Sequence, residues 1–306
     1  MLEIKGSLPE DFADTAVVIG KFGSIHLGHQ QLIHQLIEAS EEAGLSAVVL
    51  TFDRHPNSVL HPENVPLAVI GEGQKKHLLE GLGVDALKVI PFDQELASLT
   101  PEQFVERHLL PLRARIVLVG KGFKFGSGGV GSVQALRELG GRFGFQTREV
   151  DNVEANGIKI STTAIRRLLN EGKVEIANIL LGRNHSTEGL VEHGRKIGRT
   201  LGYPTANISR NAEGYLPADG VYAGYLVADG IRYPAAHSVG TNDSIEAVPR
   251  LLESHVIGRD DLDLYDKHVV CEYVAQVRGW GKFDSLESLK EQIARDVAKA
   301  KLLLEE

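Results

Sequence analysis

Along the first half of the chain, short apolar runs alternate with stretches whose apolar residues recur at helical spacing. Residues 17–20, 47–52, 87–90 and 116–120 are dominated by Val, Ile, Leu and Ala, the pattern of strands buried on both faces. Residues 146–150 form a further candidate strand. Between them, residues 29–43, 74–82, 101–109, 133–139 and 163–170 read as helices; in the first, Leu32, Ile33, Leu36 and Ile37 lie on one face. Strands separated by helices predict right-handed crossovers and a parallel sheet. Ligands of such sheets sit beyond the carboxyl ends of the strands.

The pattern changes near Leu181-Gly182-Arg183-Asn184. Beyond it lie short β-rich runs at 187–191, 221–227, 233–239, 252–257 and 269–277. Gly, Pro, Asn and Asp punctuate them, as in a closed antiparallel barrel. Leu286, Leu289, Ile293, Val297 and Ala300 then mark one face of a terminal helix, with Asp284 or Ser285 as its N-cap. The expected architecture is an α/β N-terminal domain with a Rossmann-like parallel sheet, residues 1–184, followed by an antiparallel β-barrel domain, residues 185–306.

Composition narrows the class. The chain has 306 residues, 42% hydrophobic and 24% charged, enough for two packed cores. Its 41 acidic and 33 basic side chains leave a net charge of −8, which argues against a nucleic-acid or anionic-membrane partner. A local basic pocket for nucleotide phosphates is still compatible with that charge. The single cysteine, Cys271, lies in an apolar run and is expected to be a small buried residue. No stretch approaches the about 20 apolar residues of a membrane span, and no signal peptide is visible. A soluble, cytoplasmic protein of unspecified oligomeric state is the expectation.

Candidate chemistry falls at the carboxyl ends of the predicted strands. The first strand runs into Gly20-Lys21-Phe22-Gly23-Ser24-Ile25-His26-Leu27-Gly28-His29. Small residues between a strand and a helix let backbone N–H groups approach an anion, and the helix N-terminus adds its dipole. Two histidines three residues apart can both face that pocket. Donors so placed suit nucleotidyl transfer, in which charge builds on the α-phosphate and the departing pyrophosphate. The plainer alternative is a glycine turn with a capping histidine. Three further pieces join it. Thr51-Phe52-Asp53-Arg54-His55-Pro56 ends the second strand. Gly120-Lys121-Gly122-Phe123-Lys124-Phe125-Gly126 suits a loop around a flat ligand, with Phe123 and Phe125 as its cover. Ser161-Thr162-Thr163-Ala164-Ile165-Arg166 puts hydroxyls at a helix start and an arginine one turn inside, a set able to hold a triphosphate or simply to cap the helix.

In the second half, Gly198-Arg199-Thr200-Leu201-Gly202-Tyr203-Pro204-Thr205-Ala206-Asn207 has glycines that permit close approach to phosphate. Thr205 and Asn207 alternate onto one face of an extended segment. Their oxygens are hard ligands suited to Mg²⁺ beside nucleotide phosphates. Glu253 sits inside an apolar run, as a general base or as an outward residue of an edge strand.

These motifs resemble the bacterial bifunctional riboflavin kinase/FMN adenylyltransferase family, also called FAD synthetases, over nearly the whole chain. His26-Leu27-Gly28-His29 matches the nucleotidyltransferase H-x-G-H signature. Gly198 to Asn207 matches the kinase signature G-R-x-x-G-x-P-T-A-N. Gly220-Val221-Tyr222-Ala223, Glu253-Ser254-His255, Asp263-Leu264-Tyr265 and Arg278 with Lys282-Phe283 follow in family order. The resemblance implies a six-stranded kinase barrel and the substrates riboflavin, FMN and ATP with Mg²⁺. It implies that Glu253 is the kinase base and that Thr205 and Asn207 hold metal and phosphates, with Gly198, Arg199, Gly202 and Pro204 around the nucleotide. In the first domain it implies His26, His29 and Arg166 as catalytic groups, Gly20, Phe22, Gly28, Ser161 and Thr163 near the nucleotide, and His55, Phe123 and Phe125 at the flavin. Arg278 is the implied flavin contact of the kinase. Gly23 and Gly122 stand where the family carries Asp and Asn, which implies a weakened adenylyl transfer. Two rivals are a kinase whose first domain is inactive or takes another acceptor, and a non-catalytic flavin-binding protein.

Overall fold

The structure, a computed structural model, describes every residue except 152, 156–157, 194–197, 199–200, 241–249 and 306. The chain forms two compact units, Met1–Ala68 with Gly73–Ile160, and Val69–Glu72 with Ser161–Glu306.

In the first unit, strands β1 (Leu2–Glu3), β2 (Thr15–Ile19), β3 (Ser46–Phe52), β4 (Ala86–Ile90), β5 (Ala114–Gly120) and β6 (Gln146–Val150) form one sheet in the order β1-β4-β3-β2-β5-β6. Every pairing in it is parallel. All five residues of β2 are buried, because helices cover both faces of a parallel sheet. The chain order reverses across the β2–β5 pair, so the crevice beyond these two strands is the topological switch point. The loop after Ile19 and the loop after Gly120 both open there. A short ribbon of β7 (Glu154–Ala155) and β8 (Ile158–Lys159) follows the sheet. Helix Leu27–Ala43 buries Leu32, Ile33 and Leu36, as its period predicts, and ends on Gly44 at φ +64°.

In the second unit, β9 (His185–Glu192), β10 (Ala206–Ile208), β11 (Gly220–Ala228), β12 (Ile231–Gly240), β13 (Leu251–Val256) and β14 (His268–Gly279) close into a barrel in the order β10-β13-β12-β11-β14-β9. Closure leaves β13 paired on both sides, so Glu253 is not on an edge strand. Terminal helix Leu286–Glu305 starts from Ser285, whose Oγ accepts from the Ser288 backbone N–H at 3.1 Å. It packs outside the barrel on Val221, Ala223, Ala236 and Val277 through Val297, Ala300 and Leu303. Helices Thr162–Asn170 and Val174–Leu181 group with the barrel unit. Among the described residues no helix is long and apolar enough to cross a membrane.

The barrel interior is partly polar. His237 is fully buried; its Nε2–H donates to the Glu272 carbonyl at 3.1 Å and its Nδ1 accepts from Ser254 Oγ at 3.0 Å. Buried His185 donates from Nε2 to the Tyr215 carbonyl. Burial pushes both imidazoles down to about 4. It pushes the buried Cys271 thiol up to about 12, so that thiol is inert, as its apolar run predicts. Each histidine is neutral in the folded barrel and protonates below about pH 6.5 once unfolded. Their stabilising contribution is therefore complete above pH 6.5 and is lost as pH falls toward 4. The barrel is expected to lose about 2 kcal/mol per histidine between pH 7 and 5. Trp280, the only tryptophan, directly follows the last barrel strand and reports this unit alone. Urea unfolding followed by its fluorescence should show a lower midpoint at pH 5; equal midpoints would contradict neutral burial.

Candidate active sites

The first site is assembled by the loop after β2. Gly20 has no room for a side chain: a Cβ there would lie 2.8 Å from the Phe22 ring. That ring is fully buried, and Phe22 and Ile25 both hold positive φ values, 45° and 42°. Non-glycine residues adopt such angles only where their surroundings enforce them. The strained turn delivers His26 to the N-cap of helix Leu27–Ala43, where its Nδ1 accepts the His29 backbone N–H at 3.2 Å. That bond places the proton of a neutral His26 on Nε2. His29, one turn along, stacks on His26 at 3.8 Å between ring centroids, with the planes 8° apart. Phe22 meets the His29 ring edge-on at 5.2 Å. Gly28 lies close under the stack: a Cβ there would press to 3.3 Å from the His26 ring.

Other predicted residues of the first domain take distinct places. His55 ends the segment after β3; its Nδ1 accepts from the Asn57 backbone N–H at 3.1 Å. Its Nε2 lies 3.3 Å from Lys21 Nζ. Nothing in the sequence marks Lys21, because the parallel β2–β3 pairing is what brings it beside His55. Burial holds the Lys21 ammonium below the usual lysine range. Phe123 is half-buried, whereas Phe125 is buried in the sheet core against Phe104 and lies 5.6 Å from the Phe123 ring. Phe125 is thus placed as the support under Phe123. In the second unit, Ser161 caps helix Thr162–Asn170 through the Ala164 N–H at 3.2 Å, Thr163 is exposed, and Arg166 lies one turn inside.

The second site lies on the barrel. A cleft there is lined by Pro204, Thr205, Asn207, Ser254, Arg259 and Tyr265, among others. β10 brings Asn207 directly across from Glu253 on β13. Directly opposed residues of an antiparallel pair share a face, with Cβ atoms about 5 Å apart. Burial raises the Glu253 carboxyl above its ordinary range. His255 Nδ1 lies 2.8 Å from the Pro204 carbonyl and ties the approach to β10 onto β13. Gly198 forms the preceding turn: its carbonyl accepts from the Leu201 and Tyr203 N–H groups, and a Cβ would lie 2.4 Å from the Tyr203 carbonyl. Gly202 holds φ at +86°. Arg199 lies outside the described residues.

Glu253 also opposes Ser238, Ser238 opposes Val221, and Val221 opposes Arg278. Asn207, Glu253 and Arg278 therefore stand on one row across the barrel. Glu253 and Arg278 are three strand spacings apart, on the order of 14 Å along the sheet. Among the described residues, no group of three His, Cys, Asp or Glu side chains is placed to hold a metal ion. Thr205 and Asn207 at the cleft carry neutral oxygens, donors of the hard type that a cation bound with phosphates and water takes.

Comparison with known proteins gives these two sites a family. The FAD synthetase family pattern matches residues 8–164, and the riboflavin kinase pattern matches residues 181–304. The bifunctional riboflavin kinase/FMN adenylyltransferase of Bacillus subtilis (strain 168) is 33% identical over 297 residues, 96% of this chain and 93% of its own length. The protein of the same name from Escherichia coli (strain K12) is 32% identical over 282 residues, 92% of this chain and 90% of its own. A solved structure named as a macrolide-efflux protein from Streptococcus pneumoniae superposes with a TM-score of 0.89 at 30% identity, covering 98% of this chain and 99% of that one. With both patterns in order along one chain and relatives matched almost end to end, the chain belongs to the bifunctional riboflavin kinase/FMN adenylyltransferase family.

Proposed function

We propose that the barrel phosphorylates riboflavin with Mg·ATP and that the sheet domain transfers AMP from ATP to the FMN so formed. The observation that carries the reading is the Asn207–Glu253 pairing beside the Thr205 cleft. Glu253 accepts the proton of the riboflavin 5′-hydroxyl as that oxygen attacks the γ-phosphorus; the bond to the β–γ bridging oxygen breaks and ADP leaves. Burial raises the Glu253 carboxyl above its ordinary range, which makes its carboxylate a stronger base than an exposed one. Thr205 and Asn207 would hold Mg²⁺ beside the ATP phosphates, and the ion would offset their charge. Arg278, at the far end of the same row, binds the flavin ring. The row's span suits a five-carbon polyol joined to a three-ring heterocycle.

In the sheet domain the stacked His26–His29 pair receives the phosphates at the switch point, where the helix N-terminus adds its donors. An FMN phosphate oxygen attacks the α-phosphorus of ATP and pyrophosphate departs. His26 and His29 stabilise the developing charge, with Gly20, Phe22 and Gly28 shaping the nucleotide site. His55 and Phe123 face the flavin, and Phe125 backs Phe123. The functional boundary falls near residue 184, with residues 185–306 forming the kinase. The protein works in the cytoplasm on small molecules, without nucleic acid or membrane.

Chromatography of products from riboflavin and Mg·ATP tests this reading. FMN should appear first and FAD after it; release of neither product would contradict it. Transfer to FMN is the slower step, because glycines at 23 and 122 offer no side-chain hydrogen bond. Gly122 sits at φ +74° with nothing within 4 Å of an added Cβ, and asparagine tolerates that conformation. Gly23→Asp with Gly122→Asn is expected to raise FAD formation about tenfold, since one hydrogen bond to a charged group accounts for that factor. No gain would contradict the assignment of these two positions.

A further inference from the structure

The terminal helix carries an acid in its buried stripe. Asp296 is 5% exposed and lies one turn before Ala300, on the face that packs against the barrel. A carboxylate is costly there unless paired, and an apolar residue would serve packing alone. Its partner is Arg278. Arg278 Nε lies 3.0 and 2.9 Å from the two Asp296 oxygens, and Nη2 lies 2.9 Å from Oδ2. Gln292 Nε2 donates to Asp296 Oδ1 at 2.8 Å and fixes the carboxylate from the helix side. The guanidinium also donates from Nη1 to the Gly279 carbonyl at 2.9 Å and lies 5.4 Å from the centre of the Phe283 ring. Its Nε–H and one Nη1–H are thereby committed to hydrogen bonds, Nη2 is held in the ion pair, and its plane is set. A guanidinium fixed in this way presents the N–H groups of Nη1 and Nη2 in the fork that suits paired carbonyl oxygens on a flat heterocycle.

We propose that Asp296 is a positioning residue of the kinase: through Arg278 it presets the flavin end of the acceptor site before substrate arrives. The proposal rests on the reading of Arg278 as the flavin contact. A preset guanidinium loses less freedom on binding than a mobile one, so its effect falls on riboflavin affinity. Chemistry at Glu253, three strands away, is left nearly unchanged.

The test uses the full chain with Asp296→Asn, which keeps the shape but presents an amide to the guanidinium. Riboflavin binding is read by quenching of the flavin's own fluorescence, and kinase turnover by FMN release. Asp296→Asn is expected to raise the riboflavin Kd and KM about tenfold, with the KM for ATP unchanged and kcat within about threefold. Gln292→Ala, which leaves the ion pair in place, should shift Kd in the same direction by about threefold. In Arg278→Ala, adding Asp296→Asn should weaken binding no further. Lower thermal stability with an unchanged riboflavin Kd would make Asp296 a structural clamp and overturn the proposal. Weakening by Arg278→Ala but not by either helix variant would overturn it while leaving the role of Arg278 intact. If Arg278→Ala itself binds riboflavin normally, the Arg278 reading falls and the proposal with it.

Discussion

Glu253→Gln is expected to slow FMN formation by about a hundredfold or more while leaving riboflavin and ATP binding near the parent values. The amide keeps the shape of the side chain opposite Asn207 but cannot accept the hydroxyl proton. Rate measurements at saturating riboflavin and ATP read the effect directly. The pH profile gives a second reading. Burial raises the Glu253 carboxyl, so activity should fall, as pH drops, at a higher pH than an ordinary exposed glutamate would give. The glutamine variant should lack that acid limb. Parent-like turnover by the variant would exclude Glu253 as the base.

His29→Ala is expected to reduce FAD formation from FMN by about a hundred- to a thousandfold, the usual effect of removing one preorganised donor from a charge-stabilising site. The His26 cap uses the His29 backbone N–H, which alanine retains, so helix Leu27–Ala43 keeps its N-terminus. What is lost is the ring stacked at 3.8 Å on His26 and braced by Phe22. Riboflavin phosphorylation by the same preparation is the internal control and should be unchanged. A parent-like rate of FAD formation would remove the histidine pair from the mechanism.

Much of this architecture is legible from local pattern. Buried parallel strands announce themselves as apolar runs, and β2, β3 and β5 lie within a residue or two of their predicted limits. The Ser285 cap and the alternation of Thr205 and Asn207 are equally local. Three kinds of feature escape such reading. Elements held by partners are too short to carry a period: Leu2–Glu3 exists through β4, and Ala206–Ile208 through β9 and β13. Residues 101–109 read as one helix, yet the chain forms an α-helix over Pro101–Phe104 and a π-helical turn over Val105–Leu109. Polar partnerships across strands depend on topology alone. Lys21 with His55, His237 with Ser254 and Arg278 with Asp296 lie 17 to 34 residues apart, and nothing in their spacing marks them. The texture change near residue 184 reports a switch in strand type, whereas packing groups helices Thr162–Asn170 and Val174–Leu181 with the barrel. Pattern and contact measure different things there.

The central claim is that one chain carries two separate reactions linked only by FMN. Mixing the Glu253→Gln and His29→Ala chains with riboflavin and Mg·ATP tests it most directly. Alone, Glu253→Gln should convert added FMN to FAD at the parent rate yet make little from riboflavin. Alone, His29→Ala should accumulate FMN. Together they should restore FAD formation from riboflavin, because FMN released by one chain is used by the other. A mixture that forms no FAD, or a Glu253→Gln chain unable to adenylylate added FMN, would contradict the two-site account.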